Sequence, residues 1–162
     1  MVVLRPTVRL AAKLRMRLAE FNLPSTTRLG DWYATDLNLG RRRLVVCVSE
    51  LSRLAVVLEA APYATIPERL PPALGRVLDW IGVEQPTIER EIAAMGTIAI
   101  AKTCNRSVLG TISEFVHYLR CMHANRPVPP DPFLLSAELS EFVCMPLEDT
   151  YPKDAALRLF SA

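Results

Sequence analysis

The chain has 162 residues, 51% of them apolar and 22% charged, with a formal net charge of +2. This is the composition of one folded domain with its own core, and it excludes both a disordered chain and a small disulfide-stapled scaffold. Polar residues interrupt every apolar run well short of the ~18 residues a spanning helix needs, and charges threaded through residues 1–18 argue against a signal peptide, so a cytoplasmic chain is expected.

Val2 to Arg5 reads as a short strand stopped by Pro6, and Thr7 suits the cap of a helix running to about Leu18 with Leu10, Leu14 and Leu18 on one face. After a break at Pro24 and Ser25, a second helix is expected from about Arg28 to Leu37, offering Leu29, Trp32, Tyr33 and Leu37 to the core. Leu44–Ser49 and Leu54–Leu58 are the clearest strands. Four residues separate them, which predicts an antiparallel hairpin, and apolar residues on both faces predict a central position under helices.

Pro62, Pro67, Pro71 and Pro72 mark an irregular crossing, followed by a helix from about Pro72 to Ile81 with Gly82 as its stop. Pro86 opens another helix, ended by Gly96, with Ile88, Ile92 and Met95 inward. Thr97–Thr103 reads as a strand. Ser107 to about His123 is the strongest helix, with Val108, Ile112, Phe115, Leu119 and Met122 recurring at helical spacing. The proline-rich stretch 126–132 is an extended connector. Beyond it, helices are expected over Phe133–Val143 and Lys153–Phe160.

These elements predict an α+β fold: a small antiparallel sheet of about four strands covered by helices, with a helical C-terminal arm. The expected organisation is a core domain over 1–125, the connector over 126–132, and an arm over 133–162 that packs on the core or on a second subunit. The high apolar fraction points to a homo-oligomer.

Two segments share a layout. Ser25-Thr26-Thr27-Arg28-Leu29-Gly30-Asp31-Trp32-Tyr33 and Thr103-Cys104-Asn105-Arg106-Ser107-Val108-Leu109-Gly110 each place hydroxyl or amide side chains and an arginine where a helix is expected to begin. Free N–H groups, a helix dipole and an arginine together suit an anion. Thr27, Arg28, Asp31, Trp32, Asn105, Arg106 and Ser107 are therefore the candidate ligand-binding residues. Ordinary helix capping accounts for the same residue types without a ligand.

Residues 1–60 carry ten lysines and arginines against five acids, and residues 61–162 carry nine against twelve. The stripe Arg9, Lys13 and Arg17, with Arg5, Arg15 and Arg41–Arg43, suits a phosphate backbone, though no nucleic-acid-binding motif accompanies it and a solvated helix face has the same pattern. Glu114, His117 and Cys121 share one side of the long helix but lack ligands from a second element, so no metal is expected. Cys47, Cys104, Cys121 and Cys144 are widely spaced and read as reduced thiols. No catalytic residues and no cofactor are assigned; a nucleophile elbow is absent and Glu89 and Glu91 do not pair on one helix face.

The segments STTRLGDWYATDL, VVCVSE and TCNRSVLGTISEF resemble, in the same order over roughly residues 1–120, a family of small bacterial proteins of unknown function. The resemblance implies a shared fold and supplies no activity. Together these observations point to a small binding or regulatory protein that recognises an anionic group of a small molecule or protein. The alternatives are an antitoxin-like nucleic-acid-binding regulator, and an enzyme for a phosphorylated substrate with Arg28 and Arg106 as clamps and Asp31 as base.

Overall fold

The computed structural model describes residues 1–19, 23–128, 130–145 and 147–162; Pro129 of the expected connector lies outside them. In chain order the described elements are β1 (Val2–Pro6), α1 (Val8–Leu14), β2 (Trp32–Leu39), β3 (Arg42–Ser49), β4 (Ala55–Glu59), α2 (Ile66–Ile81), α3 (Gln85–Met95), β5 (Ile98–Ile100), α4 (Arg106–His123), α5 (Pro132–Ser140) and α6 (Pro152–Ser161). The strands form one five-stranded sheet in the order β4-β3-β2-β1-β5.

The α+β class holds, but the sheet is mixed, which corrects the expected four-stranded antiparallel arrangement. β2, β3 and β4 form an antiparallel meander, with Trp32 opposite Ser49 and Val46 opposite Val57. β1 then pairs in parallel on both sides, Leu4 with Trp32 and Val2 with Ile98. The added strand comes from the segment expected as a helix over 28–37. Trp32, Tyr33, Thr35 and Leu37 satisfy helical and strand spacings alike, and a short apolar run does not separate the two. Bulky aromatic and β-branched residues between two apolar layers favour the strand.

Alternation along each strand divides the core in two. Trp32, Ala34, Val45, Cys47 and Val56 face Leu10 and Leu14 of α1, Leu70, Leu74 and Leu78 of α2, and Ile88 and Met95 of α3. Tyr33, Leu37, Leu44, Val46, Val48 and Val57 face Val108, Ile112, Phe115 and Leu119 of α4, and Leu135 and Leu139 of α5. Both faces of the sheet are covered, as the doubly apolar strands require.

Two helices differ in extent from their expected ranges. α1 stops at Leu14, where Arg15 takes a left-handed φ of 52°. α2 begins six residues before Pro72 and continues through Pro71 and Pro72. Ile66, Leu70, Leu74, Val77 and Leu78 are all buried on one face, and that burial outweighs the lost N–H bonds, while Pro72 lies on the exposed side.

The outer edge of β4 is closed by α5. The Val57 N–H donates to Ser136 Oγ at 2.8 Å, and Ser136 is almost fully buried. Removing that acceptor leaves a buried backbone donor unpaired, which costs about 1–3 kcal/mol. Ser136→Ala is therefore expected to lower the urea midpoint by that equivalent with an unchanged m-value.

Candidate functional site

Residues 25–31 form a turn leading into β2, not the start of a helix, so the expectation of two helix N-termini is corrected to one. Thr27 Oγ1 donates to the Gly30 carbonyl at 3.0 Å. Gly30 has φ +78°, and a Cβ there would meet Leu51 Cγ at 2.9 Å, so the turn rests directly on the β3–β4 loop. The Glu91 carboxylate, buried on α3, accepts the N–H groups of Arg28 and Leu29, each at 3.1 Å. The Arg28 guanidinium donates to the carbonyl of Leu159 at 2.9 Å and to Ala162 O at 2.5 Å. Trp32 is a core residue, its indole Nε1 buried without a partner.

Asp31 is a buried structural carboxylate. Its Oδ1 accepts the Val3 N–H at 3.1 Å, and its Oδ2 accepts Arg5 Nε and an Arg5 terminal nitrogen, each at 3.3 Å. The other end of Arg5 donates to the Lys102 carbonyl at 2.6 Å. Arg5 thus faces inward and does not extend the basic stripe. Asp31, committed to this pair, is not placed as a free base.

The second segment does open a helix. Asn105 caps α4, its Oδ1 accepting the N–H groups of Ser107 at 3.0 Å and Val108 at 3.3 Å. Three core side chains grip this loop from below: Arg5 at Lys102, the Tyr33 hydroxyl at Cys104 Sγ (3.2 Å), and Arg53 at Ser107 Oγ (3.0 Å). The two sequence motifs therefore meet through shared partners, although Arg28 bonds at α3 and α6 and Arg106 is exposed at α4.

Arg53 is the residue that sequence reasoning missed. It closes the β3–β4 loop with a left-handed φ of 62°, its N–H bonded to the Ser49 carbonyl at 3.0 Å. Glycine or asparagine suits such a corner far better than arginine. The side chain is only 8% exposed. One terminal nitrogen donates to the Glu50 carbonyl at 2.5 Å, the other to Ser107 Oγ, and Nε is buried without a partner. No carboxylate pairs with it among the described residues. Burial lowers its pKa, the Glu50 carboxylate opposing that shift from beyond bonding distance, and a guanidinium stays charged in proteins. Burial and the Cys104 contact push the Tyr33 phenol well above its ordinary range, leaving a neutral hydroxyl beside the exposed Cys104 thiol. The sequence signal was the arginine itself, alone at the end of a four-residue loop between apolar strands.

Two members of the basic stripe share one buried carboxylate. Arg9 Nε lies 3.3 Å from Asp36 Oδ1, Lys13 Nζ lies 2.5 Å from Asp36 Oδ2, and Arg17 follows the end of α1. On α4, His117 Nε2 lies 3.6 Å from Cys121 Sγ, and no group of three metal-ligating side chains occurs among the described residues. His123 turns inward instead, where its Nε2 meets Glu138 Oε2 at 2.8 Å and Tyr118 donates to Glu138 Oε1 at 2.6 Å. All four cysteines are free thiols, Cys47 and Cys144 buried, Cys104 and Cys121 exposed.

A family model described as a domain of unknown function, DUF6933, matches residues 3–155, nearly the whole chain. The chain belongs to this family, and the match continues past the roughly 120 residues of the sequence resemblance, through α5 and into α6. No curated protein and no solved structure matches it. Among the described residues, no helix is long and apolar enough to cross a membrane.

Asp36 makes a pH test of the α1 contacts. Burial pushes its carboxyl up, but the hydrogen bond and charge of Lys13, joined by the charge of Arg9, outweigh this and hold the pKa below the ordinary 3.8. The native state then binds fewer protons than the unfolded chain, so this contribution is complete above 3.8 and is lost as pH falls through the lower folded value. Between about pH 5 and about pH 2, the urea midpoint is expected to fall more steeply for the native protein than for Asp36→Asn.

Proposed function

We propose that the domain is a binding module that takes the anionic group of a small molecule or partner protein at the N-terminal loop of α4. The observation that carries this is Arg53: a charged guanidinium, nine-tenths buried, held at a left-handed corner, with its Nε unpaired and no carboxylate partner. An uncompensated buried charge is costly, and an outlying backbone conformation persists where the surrounding structure enforces it. An anion accepted beside Ser107 would supply a bonded counter-ion in addition to the longer-range attraction of Glu50, with Arg106 exposed in the same turn and the positive end of α4 adding to the field.

Arg9 and Lys13, both committed to Asp36, favour this reading over nucleic-acid binding, and the Asp31–Arg5 pair favours it over acid–base catalysis. The same reading makes the protein a cytoplasmic, self-associating chain. Its support is the pair of exposed free thiols and the exposed apolar side chains Leu134, Val143 and Met145 along the arm.

Inorganic phosphate tests the site. At roughly tenfold above its Kd, binding to the native state alone adds about 1.4 kcal/mol, which raises Tm by about 3–6 °C for a domain of this size. Arg53→Gly removes both the guanidinium and the strained corner. It is expected to keep or raise the phosphate-free Tm and to lose the saturable response. An equal phosphate response in native protein and Arg53→Gly would falsify the reading.

A further inference from the structure

A cavity of about 290 Å³ lies between the outer edge of β4, α2 and α5, sharing no lining residue with the Arg53 site. Val56, Leu58, Ala73, Val77 and Phe133 make its walls apolar. Four charged residues also line it, and they are unequally committed. Glu59 is paired with Arg42, whose Nε and a terminal nitrogen lie 2.8 Å and 2.6 Å from its Oε1. Asp131 caps α5, its Oδ1 accepting the Leu134 N–H at 3.1 Å.

The two arginines have no such acid. Arg69 spends its donors on the carbonyls of Glu59, Ala60 and Pro62 and on Thr65 Oγ1. Arg76 lies over the Phe133 ring, 4.6 Å from guanidinium carbon to centroid, and pairs with no acid among the described residues. Stacking on a ring leaves the in-plane N–H donors of a guanidinium available. The cavity thus joins largely apolar walls to the Arg76 guanidinium, which no acid pairs among the described residues, with the Asp131 carboxylate engaged as the cap of α5.

From this we infer that the cavity is a binding site for a small organic monocarboxylate with an aromatic or branched aliphatic body. The volume is at the small end of ligand pockets, which are typically apolar with a few placed polar groups. A carboxylate matches the planar fork of Arg76 in geometry, whereas a doubly charged phosphate would lose more hydration against these apolar walls. An added peptide strand does not fit, because Ser136 already occupies the outward N–H of Val57.

Phenylacetate and the neutral benzyl alcohol, titrated separately into the intact protein, test this through the amide resonances of Val57, Ala73 and Phe133. Saturable shifts with phenylacetate are expected. Binding about tenfold weaker is expected both for benzyl alcohol and for phenylacetate with Arg76→Met, the scale of one charge-assisted hydrogen bond. Arg76 is exposed on α2, so the variant keeps the fold. Absence of saturable shifts overturns the inference, as does equal binding of the alcohol or an unchanged affinity in Arg76→Met. Arg53→Gly is expected to bind phenylacetate normally, which separates this result from the phosphate experiment.

Discussion

Asp31 and Arg5 hold the parallel half of the sheet together from the inside. A buried ion pair offsets its desolvation only when its remaining donors and acceptors are also used. Here they are: one Asp31 oxygen takes the Val3 N–H, the other takes Arg5, and Arg5 continues to the Lys102 carbonyl. One carboxylate therefore links β1, the entry to β2 and the loop that leaves β5. With Lys102 fixed, Cys104 falls against Tyr33 and Ser107 falls against Arg53. The α4 loop inherits its position from a pair that does not itself reach the surface.

The β3–β4 loop is the second fixed body. The Leu29 carbonyl accepts from Leu51 N and Ser49 Oγ, and the Asp31 carbonyl accepts from Glu50 N, so the loop is tied to the turn before β2. Ser52 adds a hydrogen bond to Ser49 Oγ at 2.9 Å. These contacts hold Arg53 in a conformation that an arginine in a free loop would leave. On the proposed reading, a donor held this way would lose little entropy in meeting an anion, which is the physical meaning of preorganisation.

Much of the fold was readable because periodicity is a local property. The α4 stripe, the β3–β4 hairpin and the proline-opened α3 follow directly from the spacing of apolar residues and breakers. Residues 32–37 were not readable in this way, since Trp32, Tyr33 and Leu37 fit both helix and strand until apolar layers cover both sides. The prolines of α2 misled for a related reason: their local cost is outweighed by five inward apolar side chains whose burial depends on the sheet below. At the site, Asn105 and Ser107 were legible as a cap, while Arg53 was not singled out because hairpin loops commonly carry charge.

By itself the sequence determined the α+β class, the positions of most helices and the special character of the segments around Asp31 and Asn105, because capping, turn chemistry and apolar spacing act over a few residues. Only the tertiary structure decided that β1 runs parallel between β2 and β5, that Asp31 serves Arg5, and that Arg53 reaches Ser107 with no carboxylate bonded to it. Those outcomes depend on which distant groups share one buried space and on whether a charge finds a partner there, and no local pattern carries that information.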